Sequence, residues 1–476
     1  MLRDYQIKSI DLIREEYLKG ITKTCLVLPT GAGKSVVACE IIKTTIARGK
    51  RVIFVVRGVS LIDQISKRLF RENTQHGVVQ ANHWNFRPTL PVQVISIDTA
   101  IARDIYPEAD LIIIDECDQA VSDGYKKFLS HYPNAFILGI TATPYTDKSL
   151  RHVAESAIVP ITMQELIDQK YLSPFRYFAV SAPDLSGVKV SSSTNDYVSD
   201  QLEGAMVANG LTGKVVDHYI KYASDRPTLL FAVNVHHSKL LADNFNDKGI
   251  RAEHADANTS LEKRNEIFAR LESRETKIVC TVGIATRGFD APFVSCLILA
   301  RPTKSLNLHR QMLGRGTRLS EGKIDNLILD HANNLMRLGF PTDEVEIDLD
   351  GKKAKESHVK ETKVCKSCFC CYRGPACPEC GATPPEREKV VLEESDDELR
   401  EMTDQELDVI YREYIKLQAR AKTSGRNYKW AMYKLVDKFG IDLAKKYLPE
   451  SFVTEFISKN AATMFRSSRF KGAPSK

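Results

Sequence analysis

Ten short apolar runs, rich in β-branched residues, decide the class of fold open to this chain. CLVLP (25–29), VIFVV (52–56), VQVISI (92–97), LIIID (111–115) and FILGI (136–140) form one series. TLLFAV (228–233), IRAEHA (250–255), KIVCTV (277–282), CLILA (296–300) and NLILD (326–330) form a second. A strand with one wet face alternates apolar and polar side chains, so a run apolar at consecutive positions is buried on both faces. Such strands belong to parallel sheets covered by helices on either side, and the segments between the runs carry helical spacing. The expected fold is α/β, with tandem units over residues 1–160 and 205–345. Residues 161–204 read as a connector or insertion, because 181–204 is rich in Ser, Gly and Asp and shows no period.

The 476 residues exceed what one core holds, since cores stop growing near roughly 250–300 residues. With 43% apolar and 27% charged residues, wholesale disorder, a collagen-like chain and a membrane-embedded bundle are excluded. No run approaches the roughly 18 apolar residues of a spanning helix. The opening MLRDYQIKSIDLIREEY is charged throughout and lacks the apolar centre of a secretory signal, so a cytoplasmic, reducing setting is expected.

Beyond residue 345 the composition changes. Residues 346–363 read as a polar linker, 364–382 as a cysteine module, 383–408 as an acidic linker and 409–476 as a basic helical region. The net charge of +6 is unevenly spread: 393–408 hold nine acids against one base, and 409–476 hold fifteen Lys/Arg against five Asp/Glu. Thr403 and Glu406 have the spacing of a capping box that starts a helix.

The chemistry begins where CLVL runs into PTGAGKS (29–35), with an amphipathic helix following. Gly31 and Gly33 let successive backbone N–H groups turn onto phosphate oxygens at a helix N-terminus. Lys34 reaches the β/γ-phosphates, and the Ser35 hydroxyl binds Mg²⁺. The first glycine of the usual pattern is replaced by Leu28. Strand LIIID ends in Asp115, placed to hold Mg²⁺, and Glu116, placed to polarise the attacking water. Loop and carboxylate pair together define an ATPase or GTPase.

In order along the chain, these residues resemble the superfamily-2 helicases and translocases. LRDYQ (2–6) is similar to their adenine-recognition motif, PTGAGKS to motif I, VVRGVSLIDQ (55–64) to Ia, SIDTA (96–100) to Ib and DECD to II. TATP (141–144) is similar to motif III, TVGIATRGFDAP (281–292) to V and QMLGRGTR (311–318) to VI. The resemblance implies two RecA-like domains with ATP in the cleft between them. Arg3 would pack on the base and Gln6 bond its edge, while Pro29, Thr30, Gly31, Ala32, Gly33, Lys34 and Ser35 bind the phosphates. Asp290 would contact the ribose. Gln311, Arg315 and Arg318 would reach across from the second domain, the arginines toward charge developing on the γ-phosphate. Asp118, Thr141 and Thr143 would couple the site to domain closure, and Arg57, Thr99, Thr286 and Arg287 would touch nucleic acid. Motif II ends DEAD-like in Asp118 whereas motif VI begins DEAH-like in Gln311, a mixed pairing. Motif Ia carries Ser60 where many relatives have an acid.

Of eleven cysteines, six fall between 365 and 380. Cys365-x₂-Cys368 and Cys377-x₂-Cys380 are two knuckles able to place four thiolates around a structural Zn²⁺, with Cys370 or Cys371 able to stand in for Cys368. A superfamily-2 ATPase followed by four such cysteines resembles the RadD-type helicase-like proteins of bacteria and phage, as does GRNYKWAMYKLVDKFG (425–440). That resemblance implies DNA, single-stranded or branched, as partner, together with recombination or single-strand-binding proteins. Trp430, Tyr433 and Val436 fit either base stacking or, better, the core stripe of a small helical domain.

The function expected is an ATP-dependent DNA helicase or translocase using Mg²⁺, in recombination or repair. The alternatives are an RNA-directed remodeller and a recombination mediator whose ATPase switches its grip without unwinding.

Overall fold

A computed structural model of the chain describes residues 2–146, 148–179, 185–191, 195–208, 211–283, 291–351, 362–383, 409–423, 427–439 and 441–457. They form two compact units, 1–385 and 386–476.

The first unit contains two parallel sheets. Strands β1 (Lys23–Val27), β2 (Val52–Val56), β3 (Gly77–Val79), β4 (Val92–Ser96), β5 (Leu111–Asp115), β6 (Phe136–Thr141) and β7 (Ser156–Ile158) lie in the order β3-β4-β2-β5-β6-β1-β7. With them go helices α1 (Asp4–Leu18), α2 (Lys34–Ile46), α3 (Val59–Arg71), α4 (Ile97–Arg103), α5 (Asp123–Ser130) and α6 (Met163–Asp168). Strands β8 (Phe175–Ala179), β9 (Thr228–Phe231), β10 (Ala252–Ala255), β11 (Ile278–Thr281), β12 (Cys296–Leu299) and β13 (Asn326–Asp330) lie in the order β10-β11-β9-β12-β13-β8. Their helices are α7 (Ser199–Ala208), α8 (Leu211–Ala223), α9 (Val235–Asp247), α10 (Leu261–Glu272), α11 (Leu306–Gly314) and α12 (Asn334–Leu338).

The apolar runs are continuous because every sheet has a core on each face. Leu26, Phe54, Val94, Ile113 and Leu138 enter one core of the first sheet, whereas Cys25, Val27, Ile53, Val55, Ile112 and Ile114 enter the other. Leu230, Cys280 and Ile298 against Leu229, Val279 and Leu297 repeat this in the second. These are two RecA-like α/β domains.

Two expected boundaries are corrected. Residues 161–204 are not one connector: Leu166 of α6 enters the first domain's core, and Phe175–Ala179 pairs with β13 as an edge strand of the second sheet. FRYFA carries Arg176 among three aromatic rings, and as the last strand of the sheet it pairs with β13 on one side and meets the cysteine segment on the other, which hid it among continuous apolar runs. The linker beginning at 346 is likewise not free chain. Ile347 and Leu349 return to the first domain, where the Leu349 carbonyl accepts from the Leu150 N–H at 2.8 Å and Arg151 pairs with Asp350 at 2.8 Å.

In the second unit, helices Val409–Thr423, Tyr428–Phe439 and Ile441–Ala444 with residues 450–457 enclose Tyr414, Leu417, Leu435, Val436, Ile441 and Phe452. Val436 enters this core and Trp430 packs against it, whereas Tyr433, 39% exposed, meets Phe452 edge-on at 5.1 Å from outside it. The acidic run and the Thr403–Glu406 pair lie outside the described residues. Among the described residues, no helix is long and apolar enough to cross a membrane.

Candidate nucleotide site and cysteine module

The phosphate loop leaves β1 at the carboxyl edge of the sheet. Leu28 is buried and its N–H extends the ladder to the Thr141 carbonyl at 3.0 Å, so this position belongs to the core and needs no glycine. Gly31 (φ +88°) and Gly33 (φ +82°) take left-handed backbone that side chains disfavour. A Cβ at Gly33 would also sit 2.8 Å from Gln6 Nε2, and one at Gly31 2.8 Å from Leu172 Cδ2. The Ala32 carbonyl accepts from the Tyr5 hydroxyl at 2.8 Å and from Gln6 Nε2 at 3.2 Å, which holds the loop on α1. Lys34 is half-buried and Ser35 exposed at the start of α2.

Beside the loop lies a cavity of about 520 Å³ lined by Leu2, Arg3, Gln6, Gly31, Gly33 and Val36 among others. The Arg3 guanidinium lies 4.3 Å over the Tyr171 ring and donates to the Tyr5 hydroxyl at 3.2 Å. Gln6 is already engaged at both ends, since its Oε1 accepts the Arg3 N–H at 3.0 Å. Tyr5 and Tyr171 were not singled out from the sequence. Tyr5 stood inside LRDYQ, whereas Tyr171 is over 160 residues away and gave no signal.

Asp115 ends β5, and Glu116 follows with φ +49°, a left-handed conformation that turns the chain sharply at the strand tip. Burial and the neighbouring Glu116 carboxylate push the Asp115 pKa up to about 7, while Lys34 opposes the rise. A cation beside the pair relieves that repulsion, so the donor set fits Mg²⁺ held with nucleotide phosphates.

Motif VI meets this loop directly. A Cβ at Gly314 would lie 2.7 Å from Thr30 Cβ, and the Thr317 hydroxyl donates to the Thr30 carbonyl at 3.2 Å. Arg318 Cγ is 3.6 Å from where a Gly31 Cβ would be, and Arg315, half-buried, caps α11. The two domains therefore meet at the phosphate loop.

The mixed Asp118/Gln311 pairing is resolved by intermediaries. Buried Asp118 accepts from the Thr141 hydroxyl at 2.8 Å and, across the domain boundary, from Asn307 Nδ2 at 3.2 Å. Gln311 Nε2 lies 3.5 Å from the Thr143 hydroxyl, so it meets motif III instead of Asp118. Asn307, on the same face of α11 one turn before Gln311, was missed because no motif contains it. Arg57 is exposed after β2, and the Thr99 hydroxyl accepts from the Ala81 N–H at 3.4 Å. Thr286, Arg287 and Asp290 lie outside the described residues.

The cysteine module packs on the second domain. The Sγ atoms of Cys365, Cys368, Cys377 and Cys380 all lie within 4.8 Å of one another, with Cys365–Cys380 at 3.5 Å and Cys368–Cys377 at 3.6 Å. A zinc tetrahedron with bonds of ~2.3 Å has sulfur–sulfur edges of about 3.8 Å, so the four thiols fit that ion. Each knuckle closes alike: the Phe369 N–H bonds the Cys365 carbonyl, and the Gly381 N–H the Cys377 carbonyl, both at 2.9 Å. Cys370 and Cys371 are not among the four converging thiols: Cys371 enters a core of the second domain, and burial, with Cys377 nearby, pushes the Cys370 thiol up to about 12. They are neutral core residues, which leaves Cys368 in the set. Cys370 bridges Phe178 of β8, and Arg373 pairs with Asp343. Asp343 in turn offers its carbonyl to Arg310 of α11 at 2.7 Å, so a continuous path joins the module to the motif VI helix.

Two RecA-like domains meeting at a phosphate loop with a carboxylate pair define an ATP-hydrolysing enzyme of helicase type. The chain is a superfamily-2 helicase-type protein. Residues 1–146 match the family model "Type III restriction enzyme, res subunit", and residues 212–320 match "Helicase conserved C-terminal domain". A 51.5 kDa protein of a Lactococcus phage is 29% identical over 434 residues, which cover 88% of this chain and 86% of that one. A protein of Saccharomyces cerevisiae described as an ATP-dependent helicase, IRC3, is 29% identical over 381 residues, covering 73% of this chain and 55% of that one. The fold is similar to a fragment described as the HsdR subunit of a type I restriction enzyme from Vibrio vulnificus, with TM-score 0.57, 22% identity and 74% and 70% of the two chains covered.

Proposed function

We propose that this chain is an ATP-driven DNA motor, a helicase or translocase, acting in recombination or repair as the RadD-type proteins it resembles. The reading rests above all on one contact: motif VI of the second domain seated on the phosphate loop of the first, Gly314 on Thr30. Any change at the γ-phosphate alters this seat, so the nucleotide state sets the spacing of two domains. The restriction-enzyme names of the first domain's family and of the similar structure favour DNA as the track.

In this mechanism Lys34 and the loop N–H groups hold the phosphates, and Ser35 and Asp115 hold Mg²⁺, which neutralises phosphate charge. Glu116 orients the attacking water and accepts its proton. Arg315 and Arg318 stabilise the charge that develops on the transferred phosphoryl group, an effect of ~10³–10⁵ in rate for an arginine acting this way. Release of phosphate loosens the seat and lets the domains part. Arg57, Thr99, Thr286 and Arg287 grip the backbone without reading sequence. The four cysteines hold a structural Zn²⁺.

The test is ATPase activity across single-stranded, duplex and forked DNA and RNA at fixed salt, with Lys34→Ala and Glu116→Gln as inactive controls. Hydrolysis that is equally fast with and without nucleic acid refutes a motor, and stimulation by RNA alone refutes the DNA track. ATPase activity without strand displacement or translocation points to the grip-switching mediator.

A further inference from the structure

Resting on that reading, we propose that the loop after β3, residues 80–90, is a base-stacking platform for single-stranded DNA, with Trp84 as its main ring and Phe86 and Phe70 beside it.

The sheet register places this loop. Val79 of β3 pairs with Ile95 of β4, and Ser96 of β4 with Val56 of β2, so the three parallel strands end side by side. The segments beginning at Gln80, Ile97 and Arg57 therefore leave adjacent points on one rim, the carboxyl edge that also bears the phosphate loop and Asp115. Ligands of open parallel sheets bind along that edge.

From that rim the loop turns back beside β3, where the Val78 N–H bonds the Asn85 carbonyl at 2.9 Å, and its rings lie bare along this flank of the sheet. Trp84 is 75% exposed, Phe86 49% and Phe70 44%. Single exposed apolar side chains need no explanation, but contiguous ones do. Trp84 and Phe70 lie nearly parallel, 10° apart with centroids at 6.0 Å, and His83 stacks on Trp84 at 5.6 Å. The backbone beneath is fixed. Buried Asn85 donates to the His76 carbonyl at 2.9 Å, and Gln93 Nε2 holds the Arg87 carbonyl at 2.9 Å. Arg103 donates to the Ala81 carbonyl at 2.6 Å and to Asn82 Oδ1 at 3.1 Å, and the Ala81 N–H reaches Thr99. Asn85 faces inward, so Trp84 and Phe86 on either side of it are held outward on a rigid base.

The surroundings select the occupant. Residues 80–90 contain no carboxylate; Asp63 of α3 lies 4.0 Å from His83 Nε2, but exposed Arg87 in the loop and exposed Lys67 and Arg71 on α3, the helix of Phe70, outnumber it. Flat rings beside cations suit a strand whose unpaired bases stack while its phosphates meet the cations. Duplex DNA hides its base faces and cannot use the rings.

Trp84 and Trp430 are the two tryptophans of the chain, so the full-length Trp430→Phe variant leaves Trp84 as the one tryptophan reporter. Titration with oligo-dT is expected to quench its fluorescence. Trp84→Ala should weaken oligo-dT binding about 10-fold or more, given the usual strength of base–aromatic stacking. Trp84→Phe should retain most of the affinity, and duplex binding and DNA-free ATPase activity should be unchanged. Equal oligo-dT affinity in Trp84→Ala, in a protein whose ATPase DNA stimulates, overturns the platform and leaves the motor standing. A wild-type chain that neither binds DNA nor responds to it overturns both. Loss of self-association in Trp84→Ala with oligo-dT affinity intact assigns the patch to a second copy and also overturns the proposal.

Discussion

Gly314→Ala is the sharpest probe of how the two domains communicate. The new methyl would meet Thr30 Cβ, Oγ1 and Cγ2 at 2.7, 2.7 and 2.8 Å. Non-bonded carbons settle at ~3.5–4.0 Å, so about 1 Å of separation must open. Rotating Thr30 does not help, because its Cβ is itself one of the clashing atoms. Neither the phosphate loop nor α11 has room to give, but the boundary between two separately cored domains does. The wedge should therefore displace the second domain by about 1 Å and carry Arg315, the next residue, with it. Misplacement of that size costs on the order of 10² in rate. We expect kcat for ATP hydrolysis to fall ~100-fold, nucleotide binding to change little because the loop belongs to the first domain, and Tm to shift by a few degrees at most. Gly204→Ala in α7, where a Cβ meets nothing within 4 Å, is the control and should be neutral or slightly stabilising. Steady-state ATPase, fluorescent nucleotide binding and thermal melts measure all three. A Gly314→Ala protein with wild-type kcat would refute the claim that this seat transmits the nucleotide state.

Asn307→Ala removes one partner of buried Asp118 across the boundary, worth ~1–3 kcal/mol, and should lower kcat roughly 10-fold while leaving the melt of each domain intact. Arg373→Ala cuts the path from the cysteine module through Asp343 to Arg310; ATPase should drop several-fold at unchanged metal content, and equal activity would make the module a passive ornament. For Cys365→Ser, metal analysis should show loss of one bound zinc and a lower Tm, whereas Cys371→Ser should keep the metal. Burial draws the Lys323 pKa down from 10.5 to about 7. The unfolded chain then binds a proton that the folded chain releases, so stability contributed by this group rises with pH from about 7 to 10. Lys323→Met should abolish that slope in urea unfolding at pH 7 and 9 and cost ~1–3 kcal/mol, since the Val294 and Gly316 carbonyls lose a donor at 2.6 Å.

Local chemistry was legible in the residue string wherever a contiguous segment performs it. PTGAGKS makes a phosphate loop because glycines, lysine and serine act within one turn of backbone, and LIIIDE places its acids because a buried parallel strand must end at the sheet's carboxyl edge. The continuous apolar runs likewise implied two-sided sheets, and the CxxC pairs implied a four-thiol cluster. What the string left open depended on residues distant along the chain. Whether Cys368 or its neighbours complete the cluster turned on which four thiols converge in space. Whether Asp118 meets Gln311 turned on Asn307 and two threonines standing between them. FRYFA and Ile347–Leu349 looked like connecting chain because neither is apolar enough alone to announce a core, yet one closes the second sheet and the other returns to the first. The local segments were set by sequence because backbone geometry and burial act over a few residues. The domain seat, the path from Arg373 to Arg310 and the Trp84 platform were decided by tertiary structure, because burial, clash and exposure are properties of neighbours in space.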